Sequence, residues 1–178
     1  MAIAIIFATV EGHSGKVARF VKSVTDQAGL GAQVSEVTAT SPVPLEGVDG
    51  AILIAPVHER RHPDLFEAAV TALSEDLARI PTLMLSVSLS AAFPEGLEDA
   101  RDYLDEMKMR TGLAPTREML VAGAVKLDRY DYFASQVVKW VVLRDRHYDP
   151  EQGSHEFTDW EALRGEVEAF LRIVGGPS

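Results

Sequence analysis

The segment "FATVEGHSGKV", residues 7–17, sets Thr9, Gly12, Ser14 and Gly15 between an apolar run and an amphipathic stretch. A strand that turns into a helix through such residues presents hydroxyls and free backbone N–H groups at the positive end of a helix dipole. That combination is an anion site, most naturally for a phosphate. Several phosphate patterns fail here residue by residue. A Walker loop needs glycine where Val10 stands and Ser or Thr where Val17 stands. The dinucleotide pattern G-x-G-x-x-G is absent, because His13 and Ser14 follow Gly12. A nucleophile elbow would need glycine at the position of Lys16. What remains is a hydroxyl-rich loop suited to a terminal monophosphate held without a metal. A Ser/Gly turn that only caps a helix would use the same residue types.

Two other clusters carry reactive side chains. His58, Glu59, Arg60, Arg61 and His62 follow an apolar run. Histidines at i, i+4 bind metal together only on a regular helix, and Pro63 marks a boundary just after His62, so no metal site is expected. Ser86, Ser88 and Ser90 alternate through the end of a further apolar run, where they could meet a ligand edge or serve as ordinary loop residues. His147 and His155 have no partner at catalytic spacing, and the carboxylates are spread over helix surfaces without forming an acid–base pair. The chain contains no cysteine, which excludes disulfides, iron–sulfur clusters and thiol catalysis. Any redox chemistry must therefore come from a cofactor.

The elements that position these residues follow from hydrophobic period. Continuous apolar runs at 3–8, 33–37, 50–56, 82–88 and 118–125 read as five strands covered on both faces. Helical spacing appears in Val17, Phe20, Val21 and Val24, then in Leu65, Phe66, Ala69, Val70 and Leu73, and again in Leu97, Ala100, Leu104 and Met107. A last helix spans 160–174, with Thr158 and Glu161 reading as its capping box. Strands alternating with helices predict a parallel sheet with helices on both faces, in one domain covering 1–178. Ligands of such sheets sit at the carboxyl ends of the strands, which makes 9–15, 56–62, 88–95 and 125–158 the expected functional loops.

The segment 125–158 is too long for an ordinary connection and reads as an insertion. Within it, 130–142 has a broad apolar face containing Phe133, Val137, Val138, Trp140 and Val141. No run approaches the roughly 20 apolar residues of a membrane span, and the N-terminus lacks the features of a secretory signal, so a cytoplasmic protein is expected. The formal net charge of −10 argues against nucleic acid or anionic lipid as a general partner.

From residue 3 to about residue 171 the chain resembles the flavodoxin-like, FMN-containing, quinone-dependent protoporphyrinogen oxidases. The resemblance is carried by "FATVEGHS", "AILIAPVHERRHPDLFEAAV", "LSVSLSAAFPEG", "VAGAVKLDRYDYF" and "FTDWE". The insertion before the last helix separates this group from electron-carrier flavodoxins. The resemblance implies a flavodoxin-like three-layer sandwich whose first loop, Thr9, Val10, Glu11, Gly12, His13 and Ser14, surrounds the FMN phosphate. It places Pro56, Val57, His58, Glu59 and Arg60, with Ser88, Leu89 and Ser90, around the flavin ring, and Phe93 over it. Arg60, Arg61 and His62 would supply positive charge to an anionic reduced flavin or to substrate propionates, or would form a solvated helix entrance. Tyr130, Tyr132 and Trp140 would wall a flat macrocycle or quinone tail, or dock 130–142 on the inner face of a membrane. Internal packing or a homodimer contact would use the same apolar face.

The implied reaction passes electrons from a porphyrinogen through FMN to a quinone, as in heme synthesis. Two other readings remain open at this level. One is an electron-transfer carrier, which the acidic charge suits and the apolar insertion does not. The other is an interaction protein that keeps the fold without the cofactor.

Overall fold

The computed structural model describes residues 1–40, 43–126 and 154–176. Among them, five strands form one sheet: β1 (Ala2–Phe7), β2 (Gly31–Glu36), β3 (Gly50–Pro56), β4 (Thr82–Ser88) and β5 (Arg117–Ala122). All neighbours run parallel in the order β2-β1-β3-β4-β5. The helices are α1 (His13–Gln27), α2 (Asp64–Ala72), the single turn α3 (Ser74–Leu77), α4 (Leu97–Thr111) and α5 (Trp160–Gly175).

Alternation along the buried strands divides the core into two layers. Ile3, Ile5, Ile52, Ile54, Leu83 and Leu85 face α1 and α5, meeting Val17, Val21, Leu163, Val167 and Phe170. Ala4, Ile6, Leu53 and Met84 face the opposite way and pack on Phe66, Val70, Leu104 and Met107 of α2 and α4. Because both faces are covered, β3 carries no polar side chain and β4 admits only the small hydroxyl residues Thr82, Ser86 and Ser88, and the expected three-layer architecture follows. The chain passes from β1 to β2 on one side, then crosses over to β3 on the other side of β1 and continues outward from there. The strand order therefore reverses at β1, and a crevice opens beyond its carboxyl end.

Three elements depart from the sequence expectation. β2 begins at Gly31 and ends at Glu36, and as an edge strand it is largely exposed, so its apolar pattern is weak. The run expected over 118–125 divides at Gly123: β5 stops at Ala122, and Ala124–Lys126 (β6) pairs antiparallel with Ser154–Glu156 (β7) in a separate two-stranded sheet. Helix α5 is capped by Asp159, whose Oδ1 accepts from the Ala162 N–H at 2.9 Å, and not by Thr158. No helix among the described residues is long and apolar enough to cross a membrane.

Candidate functional site

A cleft lies at the carboxyl end of the sheet, where the strand order reverses. Thr9, Val10, Glu11, His13 and Ser14 line it after β1, and Pro56, Val57 and His58 after β3. Val87, Ser88 and Leu89 complete it from β4, with Gly123 and Ala124 beyond β5. Backbone bonds hold these loops to the sheet: Ala8 N–H donates to Ile54 O at 3.0 Å and Val57 N–H to Val87 O at 2.7 Å.

The first loop enters α1 through Gly12, whose φ of 90° is the left-handed conformation that glycine adopts without a steric penalty. Thr9 Oγ1 accepts from the Gly12 N–H at 2.8 Å and closes the turn. No side chain caps α1. Its earliest intrahelical bond from a fourth residue is Lys16 N–H to Gly12 O at 3.2 Å, so the N–H groups of His13, Ser14 and Gly15 precede the helical ladder. Ser14 is 2% exposed, yet its Oγ has no hydrogen-bond partner among the described residues. A buried hydroxyl without a partner costs on the order of 1–3 kcal/mol, a cost that a ligand accepting its proton would remove.

The second loop is a two-residue hairpin. His58 N–H donates to Arg61 O at 2.9 Å and Arg61 N–H to His58 O at 3.1 Å. Glu59 and Arg60 both adopt positive φ, 50° and 67°, in a turn that ordinarily favours Asn-Gly. His58 lines the cleft, whereas Glu59 and Arg60 stand outside its lining on an exposed tip.

Arg61 does not project as a free cation. Its Nη2 lies 3.1 Å from Asp64 Oδ1 and 3.0 Å from Glu67 Oε2. Glu67 is a buried residue, and Arg110 adds bonds of 3.0 Å from Nε and 2.6 Å from Nη2. Burial works to raise the Glu67 carboxyl, but Arg110 and Arg61 outweigh it and hold the group below its ordinary value.

His62 also departs from the expected substrate role. It is 1% exposed, with Nε2 2.9 Å from Ser86 Oγ on β4. Burial pushes the imidazole down to about 4; the nearby Glu67 carboxylate works against that and Arg110 adds to it. At neutral pH His62 is therefore an uncharged core residue and supplies no positive charge. Its Nδ1 has no partner among the described residues.

In the β4 loop, Ser88 Oγ accepts from the Ala91 N–H at 3.1 Å and so fixes the short turn Ser90–Ala92. Ser90 lies outside the cleft lining. Phe93 is 7% exposed, packs edge-on against Phe157 at 5.2 Å and lies outside the cleft lining. Tyr130, Tyr132, Trp140, His147 and the segment 130–142 lie outside the described residues. The sequence did not single out Gly123 or Ala124 for the cleft. Gly123 in "VAGAV" was the available signal, and its N–H bonds Ser88 O at 3.0 Å where β5 leaves the sheet.

This cleft and sheet order place the chain in a known class: it belongs to the flavodoxin domain family, whose model matches residues 4–151. Over its full length the chain is 22% identical to protoporphyrinogen IX dehydrogenase (quinone) of Escherichia coli strain K12, spanning 99% of that protein. Among solved structures it is similar to a short-chain flavodoxin associated with a bacterial microcompartment, with a TM-score of 0.61 and 13% identity over 98% of this chain and 99% of that one. A flavodoxin of Streptococcus pneumonia TIGR4 gives a TM-score of 0.58 at 17% identity, over 96% and 98% of the two chains. These structural likenesses establish the flavodoxin-like fold.

Proposed function

We propose that the cleft binds FMN through its phosphate and that the protein is an oxidoreductase passing electrons from a porphyrinogen-like donor to a quinone. The observation that carries the cofactor assignment is the buried, unpartnered Ser14 hydroxyl in the uncapped first turn of α1. Ser14 and Thr9 would hold the phosphate with the N–H groups of His13, Ser14 and Gly15. Donors of this kind need no basic side chain, because helix-terminal N–H groups already carry partial positive charge. Pro56, Val57 and Leu89 offer an apolar wall to a flavin ring. Bound FMN would supply the two-electron redox chemistry, leaving binding, orientation and electrostatics to the protein. The porphyrinogen and quinone assignments are supported by the full-length relationship to the Escherichia coli dehydrogenase.

Titrating folded apo-protein with FMN and following flavin fluorescence tests the cofactor assignment. Saturable quenching is expected, with Ser14→Ala weakening binding about tenfold through loss of one charge-assisted hydrogen bond. A folded protein that leaves the fluorescence unchanged would remove the redox reading. The net charge of −10 favours a second reading, an electron carrier that docks through an acidic face. Failure of the FMN-loaded protein to oxidise protoporphyrinogen with a quinone would put that reading first.

The hairpin permits a separate test of electrostatics at the cleft. Arg61 is committed to Asp64 and Glu67, whereas Arg60 has no ion pair among the described residues. Arg60→Ala should lower the flavin's two-electron potential by about 10–20 mV, from roughly 0.5–1 kcal/mol per nearby surface charge. Arg61→Ala should shift it less, and a redox titration giving the two variants the reverse order would refute this assignment.

A further inference from the structure

We infer that Thr158, and through it His13, positions the phosphate-binding loop from the far end of the chain. The inference rests on the reading of the cleft as a phosphate site and names Thr158, which lies outside the cleft lining, as a residue that prepares that site through the side chain of His13, whose backbone N–H is among the phosphate donors. His13, the first residue of α1, places its Nε2 2.7 Å from Thr158 Oγ1. The Thr158 hydroxyl in turn donates to Ala122 O, the last residue of β5, at 2.6 Å. A threonine hydroxyl has a single proton, so once it is given to Ala122 only lone pairs remain for His13. His13 Nε2 must therefore carry the proton and donate. A chain of two directed bonds thus runs from the start of α1 through Thr158 to the end of β5.

A second set of contacts holds the same two segments together. Glu156 Oε2 lies 2.5 Å from Lys16 Nζ, and Glu156 Oε1 accepts from Trp160 Nε1–H at 2.7 Å. The Lys16 ammonium also sits 5.2 Å from the centre of the Trp160 ring, and His13 Nδ1 is 3.8 Å from Glu156 Oε2. Burial works to raise the Glu156 carboxyl, but Lys16 and the Trp160 indole outweigh it and hold the carboxylate ionised.

The consequence for recognition is specific. Lys16, the nearest lysine to the loop in sequence, has its charge committed to Glu156, so anion binding falls to the N–H groups of the first turn and to Ser14 Oγ. Those donors cannot be moved singly, since their direction is set by how the first turn of α1 is held. Thr158 fixes that turn against β5, whose end opens on Gly123 and Ala124 in the cleft wall. A purely structural tie would stabilise the fold and leave ligand selectivity unchanged; a positioning tie acts on the phosphate end of the ligand.

The experiment compares FMN with riboflavin, which has the same ring and no phosphate, in wild type, Thr158→Val and Thr158→Ser. Thr158→Val keeps the shape and loses the hydroxyl. It should weaken FMN about tenfold, the loss of one hydrogen bond to the turn, and leave riboflavin affinity unchanged. Thr158→Ser should restore FMN binding. His13→Ala, which cuts the same chain from the other side, should give a similar loss, and the double variant should lose little more. Amide hydrogen exchange without ligand supplies an independent readout: residues 11–15 should exchange about tenfold faster in Thr158→Val. Equal losses for FMN and riboflavin, or unchanged exchange at 11–15, would overturn the inference. Wild-type protein that binds neither flavin would overturn the cofactor reading, and the exchange measurement would still decide whether Thr158 holds the loop.

Discussion

Acidification from pH 7 to pH 4 will remove about 3 kcal/mol of folding stability through His62. The unfolded imidazole titrates near 6.5 and the folded one near 4, because burial against Ser86 disfavours the charged ring. Between those values the unfolded chain binds the extra proton and the folded chain does not, so stability rises with pH across that window. The contribution is complete above about 6.5, declines as pH falls and is gone near 4. A difference of some 2.5 units at about 1.36 kcal/mol each gives roughly 3 kcal/mol, a sizeable share of a typical domain's 5–15 kcal/mol. Urea unfolding at pH 7, 5.5 and 4 for wild type and His62→Asn isolates this side chain, since the variant keeps a polar group beside Ser86 and cannot titrate. Parallel pH dependence in the two proteins would assign the acid sensitivity elsewhere.

Glu67→Ala should destabilise the protein by about 2–3 kcal/mol at pH 7. The carboxylate is buried and accepts from two guanidinium groups, Arg61 from the hairpin and Arg110 from α4. Breaking a fully buried ion pair costs about 3–5 kcal/mol, because the charge left behind has no water. Here the side chains left behind are 51% and 35% exposed and can turn outward, which sets the smaller figure. Since Glu67 is held below its ordinary value, its stabilisation is present at neutral pH and fades as pH falls through the folded value. The difference between wild type and variant should therefore shrink in acid. An urea midpoint within about 0.5 kcal/mol of wild type at pH 7 would show that the network contributes nothing beyond its surface part.

The central strands were legible in the sequence because burial on both faces excludes charged residues and leaves the runs dominated by apolar ones. β3 and β4 coincide with the expected runs 50–56 and 82–88. Pattern failed at the margins of the sheet. β2 is an edge strand with exposed Gln33, Val34 and Glu36, and β6 and β7 are three residues each, too short for a period to show. At α5 the spacing of Thr158 and Glu161 pointed to Thr158 as the cap. Asp159 caps the helix, which frees Thr158 for a contact between residues 145 positions apart, and no local rule encodes that separation.

The burial of His62 and Phe93 was hidden for a related reason, because each stands in a loop that reads as polar or irregular while its side chain is received by a distant element. One clue to His62 was present. Ser86 interrupts the apolar run "TLMLSVS" at an inward position, and a buried hydroxyl calls for a polar partner. The turn from β1 into α1 was legible from Gly12 and Ser14, since a glycine and small hydroxyl residues between an apolar run and an amphipathic stretch are local chemistry. Its unpartnered Ser14 Oγ became visible only in three dimensions.

The short β6–β7 pair has a consequence for how this chain can vary. Ala124 stands opposite Glu156, and Lys126 opposite Ser154, so the chain departs from the sheet and returns to it through a single doorway. With the ends clamped there, the entropy of closing whatever lies between grows only logarithmically, by about 0.6 kcal/mol for each doubling in length.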